Sequence, residues 1–430
     1  MNYNDALAYI NDKGKFGSRL GLDSIGRLMD LLGNPQDGLK HIHVGGTNGK
    51  GSTSSFISHG LKAAGYKVGL FSSPYIERFN ERIQINGKDI PDEDLGRLTS
   101  MIEEKANIML EEGLEHPTTF EIITAIAFLY FKEENTDYVV LEVGLGGRYD
   151  STNIIKSPIA SVITTIDYDH IDVLGDTLEK IAYQKAGIIK DNSLVIAYPQ
   201  KEEVLQVIEE EVKLRNSELF RFPMENININ KITEFGTVFD YSYNGKTIKD
   251  IEISMLGEYQ IYNASLALTT LLVLRDKGLV KISDEEMKKG LKETTWPGRL
   301  EVVRRKPTFL IDGAHNVQGA RQLTKALSLF KYDKLILGIG ILEDKDSSHM
   351  VELLAPKADQ IVVTEVNMPR RLKAEELAKE IGKYNKNIII EKDVKKAIEN
   401  TLELAGDNDM IVFGGSLYLI GEVRTLIKQL

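Results

Sequence analysis

Apolar and polar positions along this chain follow two rhythms. Short runs rich in β-branched residues, LKHIHVGG (39–46), YKVGLF (66–71), DYVVLEVG (137–144), IASVITTI (159–166) and SLVIAY (193–198), are separated by stretches of helical spacing. Such a sequence of buried strands and intervening helices predicts a mostly parallel sheet. In STSSFISHGLKAAG, Phe56, Ile57, Gly60, Leu61 and Ala64 fall on one helical face, and Gly65 is placed to stop the helix. From about 217 to 256 the period becomes two, and FDYSYNGKTIKDIEI carries Asn244-Gly245, a strong hairpin signal, so a small antiparallel patch is expected there. Helical spacing returns in YQIYNASLALTTLLVLRDKG and EEMKKGLKE, and TTWPGR (294–299) then supplies the proline and glycine of a linker. Beyond it a second alternation begins: FLIDG, KLILGIGI, QIVVTEV, NIIIE and DMIVFGG, each followed by a helix-compatible segment. The pattern predicts an α/β protein of two domains. Residues 1–296 form a P-loop domain with a mostly parallel sheet and a small antiparallel patch, and residues 297–430 form a smaller, Rossmann-like α/β domain. No internal repeat or low-complexity tract interrupts this pattern.

Length and composition narrow the class. A chain of 430 residues exceeds the size at which one core keeps growing, and 42% hydrophobic with 27% charged residues is ordinary for a globular protein. The absence of cysteine excludes disulfides, cysteine-ligated zinc and thiol catalysis. The opening MNYNDALAYINDKGKFG is polar and acidic where a secretion signal needs a basic start and an apolar core, and no stretch is apolar enough for a membrane helix. A net charge of −11 opposes nonspecific attraction to nucleic acid or anionic membrane. A cytoplasmic monomer without nucleic-acid or membrane partners is expected.

Candidate chemistry concentrates in HVGGTNGKGSTSS (43–55), which resembles a phosphate loop but departs from G-x-x-x-x-G-K-[ST] twice. Val44 stands where the first glycine would be, and Gly51 where a hydroxyl would bind magnesium. A glycine-rich turn from Gly46 through Thr47, Asn48, Gly49, Lys50 and Gly51 to Ser52, between a strand and a helix N-terminus, still points backbone N–H groups and the helix dipole at an anion. An ordinary βα turn with a surface lysine is the plainer alternative. A metal would need another donor, and three candidates sit at strand ends: Ser73, Glu142 and His170. Glu142 could instead pair with an arginine, and His170 could be a hydrogen-bonded loop residue. Lys185 adjoins an apolar face in TLEKIAYQKAGII, where the default is a side chain snorkelling to water. The alternative is a lysine of lowered pKa that reacts with carbon dioxide to give an anionic carbamate. In WPGRLE and IDGAHN, Arg299, Asp312, His315 and Asn316 could complete a nucleotide site or form a salt bridge within their own domain.

Taken together these segments resemble the folylpolyglutamate synthase and dihydrofolate synthase family of the Mur ligase superfamily. HVGGTNGKGS, SSPYIERFNERI, TTFEIITAIAFLYF, LEVGLGGRYDSTN, DYDHIDVLG, QKAGIIK, GEYQIYNASLA, WPGRLE, IDGAHN and GGSLYLIGEVR occur in the family's order across nearly the whole chain. The resemblance implies magnesium held by Ser73, Glu142 and His170, and a modified Lys185 helping to hold a second magnesium. It implies adenine binding at Asn263, interdomain ATP contacts from Arg299, Asp312 and His315, and amino-acid-side contacts from Asp344, Lys345, Asp346 and Ser416. The segment around Arg82 implies a pterin substrate. The chemistry implied is ATP- and Mg2+-dependent ligation of L-glutamate to a pterin acid or folate through an acyl phosphate, with Lys50, Lys185, His170 and Arg299 at the reacting groups. The rivals are a P-loop ATPase or switch protein driving a partner, and a Mur-type ligase for another acid and amino acid.

Overall fold

The computed structural model describes residues 1–13 and 21–429; residues 14–17 of the opening polar stretch lie outside them. Eight strands form the larger sheet, in the order Lys88–Asp89, Ile83–Ile85, Val68–Phe71, Tyr138–Glu142, His41–Gly45, Ala160–Ile163, Leu194–Ala197 and Glu218–Arg221. The six from Val68–Phe71 onward are parallel, and the first two turn back antiparallel at the edge. His41–Gly45 is central. The chain leaves it first toward Val68–Phe71 and later returns on its other side through Ala160–Ile163, so the strand order reverses at its carboxyl end, where open α/β sheets gather ligands.

The period-two region divides differently from the expectation of one patch over 217–256. Residues Glu218–Arg221 pair parallel with Leu194–Ala197 and complete the large sheet. Only Ile227–Thr233, Gly236–Tyr243 and Lys246–Ile253 form the antiparallel ribbon. Its Asn244 and Gly245 both have positive φ, 48° and 75°, as a type I′ hairpin requires. The ribbon packs Phe239, Tyr241 and Ile251 onto the helices Lys50–Ala63 and Glu258–Asp276 in one continuous core. This double cover explains why the helix Lys50–Ala63 does not show the one-faced burial its spacing predicts: Ser52 to Ser55 and Ser58 are buried along with Phe56, Ile57 and Leu61.

After the linker a second sheet runs Glu301–Arg305, Thr308–Ile311, Met410–Gly414, Leu335–Ile339, Gln360–Val363 and Ile388–Ile390. The last five are parallel; Glu301–Arg305 is an antiparallel edge strand that the sequence pattern did not mark. Helices on both faces enclose separate apolar clusters. Among the described residues no helix is long and apolar enough to cross a membrane.

Candidate functional site

The carboxyl ends of the two sheets enclose a cavity of about 270 Å³. From the larger sheet come Gly46 to Ser52, Ser73, Pro74, Glu142, Asp169, His170, Lys185 and Asn263; from the smaller come Arg299, Asp312, His315, Asn316 and Gln318. All but five of the residues singled out from the sequence line this cavity.

The phosphate-loop candidate is built as an anion cradle. Gly49, at φ 86°, caps the helix without a side chain, and the N–H groups of Lys50, Gly51 and Ser52 have no acceptor among the described residues. Lys50 Nζ donates to the Gly46 and Thr47 carbonyls at 3.1 and 3.0 Å, which folds the ammonium over the cradle. Gly51 has a steric reason to lack a side chain: a Cβ there would lie 2.8 Å from the indole nitrogen of Trp296, the chain's only tryptophan, in the linker.

Glu142 ends a buried strand at 5% exposure and accepts a hydrogen bond from the Ser73 N–H at 3.3 Å. It forms no ion pair with an arginine among the described residues, and burial raises its pKa against the pull of Lys50. A buried carboxylate with one backbone donor is costly without a cation. The Ser73 hydroxyl, the Glu142 carboxylate and the His170 imidazole fit a magnesium ion that takes its remaining ligands from phosphate and water, since the ion keeps several waters and few protein ligands. Among the described residues no cluster of three or more His, Cys, Asp or Glu could hold a metal unaided. His170 sits at φ 50° ahead of a short helix, and burial lowers its pKa while Asp169 opposes the shift.

Lys185 does not snorkel. It is 4% exposed, donates to the Gly46 carbonyl at 2.8 Å, and burial with the nearby Lys50 charge lowers its pKa to about 7. Two lysines thus converge on one loop carbonyl.

On the opposite wall Asp312 accepts from the Leu300 and Ala314 N–H groups at 2.7 and 2.9 Å. Arg299 makes no hydrogen bond or ion pair with any described residue, so the intradomain salt bridge is not formed. His315 shares Nδ1 with the Gly313 carbonyl at 2.8 Å, and burial drives its pKa down to about 4, leaving a neutral ring at physiological pH. Asn263 donates to Gln260, which donates to Ser52, tying the helix Glu258–Asp276 to the phosphate loop.

Five candidates lie off the cavity. Arg82 stacks its guanidinium over Tyr75 and Phe79, with centroids 5.1 and 5.7 Å away. Asp344 pairs with Arg370 at 3.0 Å, Asp346 caps the helix Ser347–Leu354, and Ser416 caps Leu417–Ile427. Lys345 bridges the two halves at 3.3 Å from Asp169. Burial would raise the Asp169 carboxyl, but His170, Lys345 and His315 together bring it down to about 2. Sequence reasoning missed Asp169, Gln318, Tyr259, Tyr262 and Trp296. Asp169 was one residue from a chosen histidine, and a lone tryptophan in a linker was a usable signal; Gln318 gave none.

Family models match two stretches: the Mur ligase middle domain over residues 44–271 and the Mur ligase glutamate ligase domain over 298–417. The chain is 38% identical, over 99% of itself and 99% of the relative, to the dihydrofolate synthase/folylpolyglutamate synthase of Bacillus subtilis. It is similar to the Mycobacterium tuberculosis folylpolyglutamate synthase complexed with ADP and AMPPCP, with a TM-score of 0.90 and 31% identity over 99% of both chains. It is also similar to Escherichia coli FolC in complex with DHPP and ADP, with a TM-score of 0.88 and 28% identity over 100% of this chain and 98% of that one.

Proposed function

Since this chain belongs to the Mur ligase family, within its folylpolyglutamate and dihydrofolate synthase branch, we propose a mechanism in which its two lobes jointly perform ADP-forming ligation. The enzyme adds L-glutamate to a folate or dihydropteroate carboxylate through an acyl phosphate. The observation that carries this reading is the convergence of an anion cradle, two lysines and an isolated carboxylate on one wall with an unpaired arginine on the other.

ATP lies with its phosphates on residues 46–52. Asn263 reaches the adenine, Arg299 and His315 approach the phosphates from the second lobe, and Asp312 holds the ribose. A carboxylate oxygen of the acid attacks the γ-phosphorus, the bond to the β-phosphate oxygen breaks, and ADP leaves. Lys50 and Arg299 neutralise charge on the phosphoryl oxygens, the main task of such a site. Ser73, Glu142 and His170 would hold magnesium, with a carbamate on Lys185 serving a second ion; when bound, the metal adds charge stabilisation on the same oxygens. The glutamate amine then attacks the acyl carbon, the bond to phosphate breaks, and the amine proton is lost as the amide forms. Water would destroy the acyl phosphate, so closing the lobes over it protects the intermediate. Asp344, Lys345, Asp346 and Ser416 act on the amino-acid side by shaping that lobe, and Arg82 shapes the pterin side. The division falls at 296/297, the protein works as a monomer, and its home is cytoplasmic.

Dihydropteroate and a reduced folate, each supplied with ATP and glutamate to the purified protein, separate the substrates. ADP release is expected with one or both. Release with a muramyl peptide precursor and with neither pterin would overturn the folate assignment.

A further inference from the structure

Residues 73–82 leave the cavity wall after Ser73 and Pro74 and end at Arg82, whose guanidinium stacks back over Tyr75 and Phe79 of the same segment. Within this loop Glu81 is an internal staple, accepting the Ile76 and Arg78 N–H groups at 2.7 and 2.9 Å. Glu77 points the other way, into the second lobe. Its carboxylate accepts from the Arg424 guanidinium, from the Thr425 hydroxyl at 3.0 Å and from Lys428 Nζ at 2.9 Å, all on or just beyond the helix Leu417–Ile427. Arg424 is also held by Glu301 at 2.9 Å, and Glu301 accepts the Gly298 N–H at 2.8 Å. The chain of contacts therefore runs from the loop through the C-terminal helix to the linker.

Two features make this more than a surface ion pair. The Glu77 and Arg424 side chains are only 17% and 18% exposed, so the pair is largely shielded from solvent and salt. Beside it the helix approaches the loop backbone so closely that a Cβ on Gly421 would overlap the Ile76 carbonyl. The helix and loop are thus fitted by shape as well as by charge. The helix begins at Leu417, which itself lines the cavity.

We infer that Glu77 is a positioning residue that fastens the acid-substrate loop, residues 73–82, to the C-terminal helix, so that the loop moves with the second lobe and acid binding depends on where that lobe sits. The inference rests on the proposed function for its assignment of the loop to the acid, but the clamp itself does not. Glu77 touches no reacting group. It acts through Ser73, Pro74 and the loop between them and Arg82.

Glu77→Gln removes the charge and keeps the size of the side chain. Hydrogen exchange in the ligand-free protein reads the clamp directly: amides of residues 75–82 should exchange about tenfold faster or more in the variant, while those of the strand His41–Gly45 stay unchanged. Steady-state kinetics read its consequence. The KM for the pterin acid should rise about tenfold with the KM for ATP and the kcat at saturating acid within about twofold of wild type. Gly421→Ala, which leaves every charge in place, should raise the same KM selectively. Loop exchange unchanged in Glu77→Gln would overturn the clamp. Faster exchange with the KM values for the pterin acid, ATP and glutamate rising together would overturn the positioning role and leave a merely structural contact. A wild-type enzyme inactive on every pterin acid, with the exchange difference intact, would overturn the acid assignment alone.

Discussion

Lys185 carries the sharpest question of charge in the site, because its amine lies beside a second lysine in a dry pocket. Burial and the Lys50 charge bring its pKa from 10.5 to about 7, so near neutrality about half the population is uncharged amine. Only that form attacks carbon dioxide: the nitrogen bonds to carbon, one proton is lost, and the neutral amine becomes an anionic carbamate, so two protons leave in all between the ammonium and the carbamate. Both the neutral fraction and the carbamate therefore grow as pH rises through about 7. With labelled carbon dioxide, a carbamate carbon resonance is expected in wild type and absent in Lys185→Ala. Ligase turnover should fall by about a hundredfold or more in that variant. Lys185→Arg should be equally inactive, since a guanidinium keeps its positive charge. Normal rates in Lys185→Arg would reduce the residue to a buried ammonium. Nothing in the sequence distinguished these states, for the residues that bury Lys185 come from remote segments: Gly46 on the phosphate loop lies 139 positions away. Glu142 was legible for the opposite reason, since a carboxylate closing an apolar strand is conspicuous wherever the strand is placed.

The helix Lys50–Ala63 meets the linker at Gly51, which packs against Trp296, and at Ser55, whose hydroxyl donates to the Thr295 carbonyl at 3.1 Å. A methyl at position 51 would stand 2.8 Å from the indole nitrogen and 2.9 Å from two ring carbons, and the ring has no flexible end to move aside. Gly51→Ala should cost about 1–3 kcal/mol in denaturant unfolding, as overpacked sites do. Its ATP affinity should fall as well, because the first helical turn is the cradle itself. Adding Trp296→Leu should recover a good part of both losses, a non-additivity that a double-mutant cycle measures. Additive effects would mean that the two residues do not share the strain. At this scale the sequence was read well where neighbours in the chain are neighbours in space. Asn244-Gly245 specified its turn locally, and each central parallel strand was marked by its own apolar run. Glu218–Arg221 was misassigned because its two apolar residues, Leu219 and Phe220, flanked by exposed charge, are too short a run to mark a strand of the large sheet, and only its partner assigns it there. Glu301–Arg305 escaped notice because its polar edge carries charge instead of an apolar run.

At the scale of the whole molecule, the two lobes are joined across the cavity by polar contacts. Asn316 donates to Asn48 on the phosphate loop at 3.2 Å, and Lys345 lies 3.3 Å from Asp169, both side chains little exposed at 11% and 12%. Each lobe could be foreseen from the alternation of its strands and helices, but a contact between Asn48 and Asn316 spans 268 positions and leaves no local pattern. The consequence of such a closed arrangement is a stoichiometric one. If acid and ATP react inside a cavity walled by both lobes, the acyl phosphate is sheltered from water and persists until an amine arrives. With ATP and a pterin acid but no glutamate, ADP should therefore appear in a burst of about one per active site and then nearly stop, the signature of an accumulating covalent intermediate. Adding glutamate should restart steady release, with one amide formed for each ADP. A P-loop ATPase uses water as its nucleophile and would release ADP continuously under both conditions. Rapid-quench measurement of ADP against enzyme concentration decides the matter: linear release from the first turnover without glutamate would mean that the cavity does not protect an acyl phosphate. A Lys345→Met variant extends the test. It leaves Asp169 without its partner from the other lobe, so the slow release after the burst should quicken as water gains access. An unchanged slow phase would show that Lys345 does not help to keep the lobes closed.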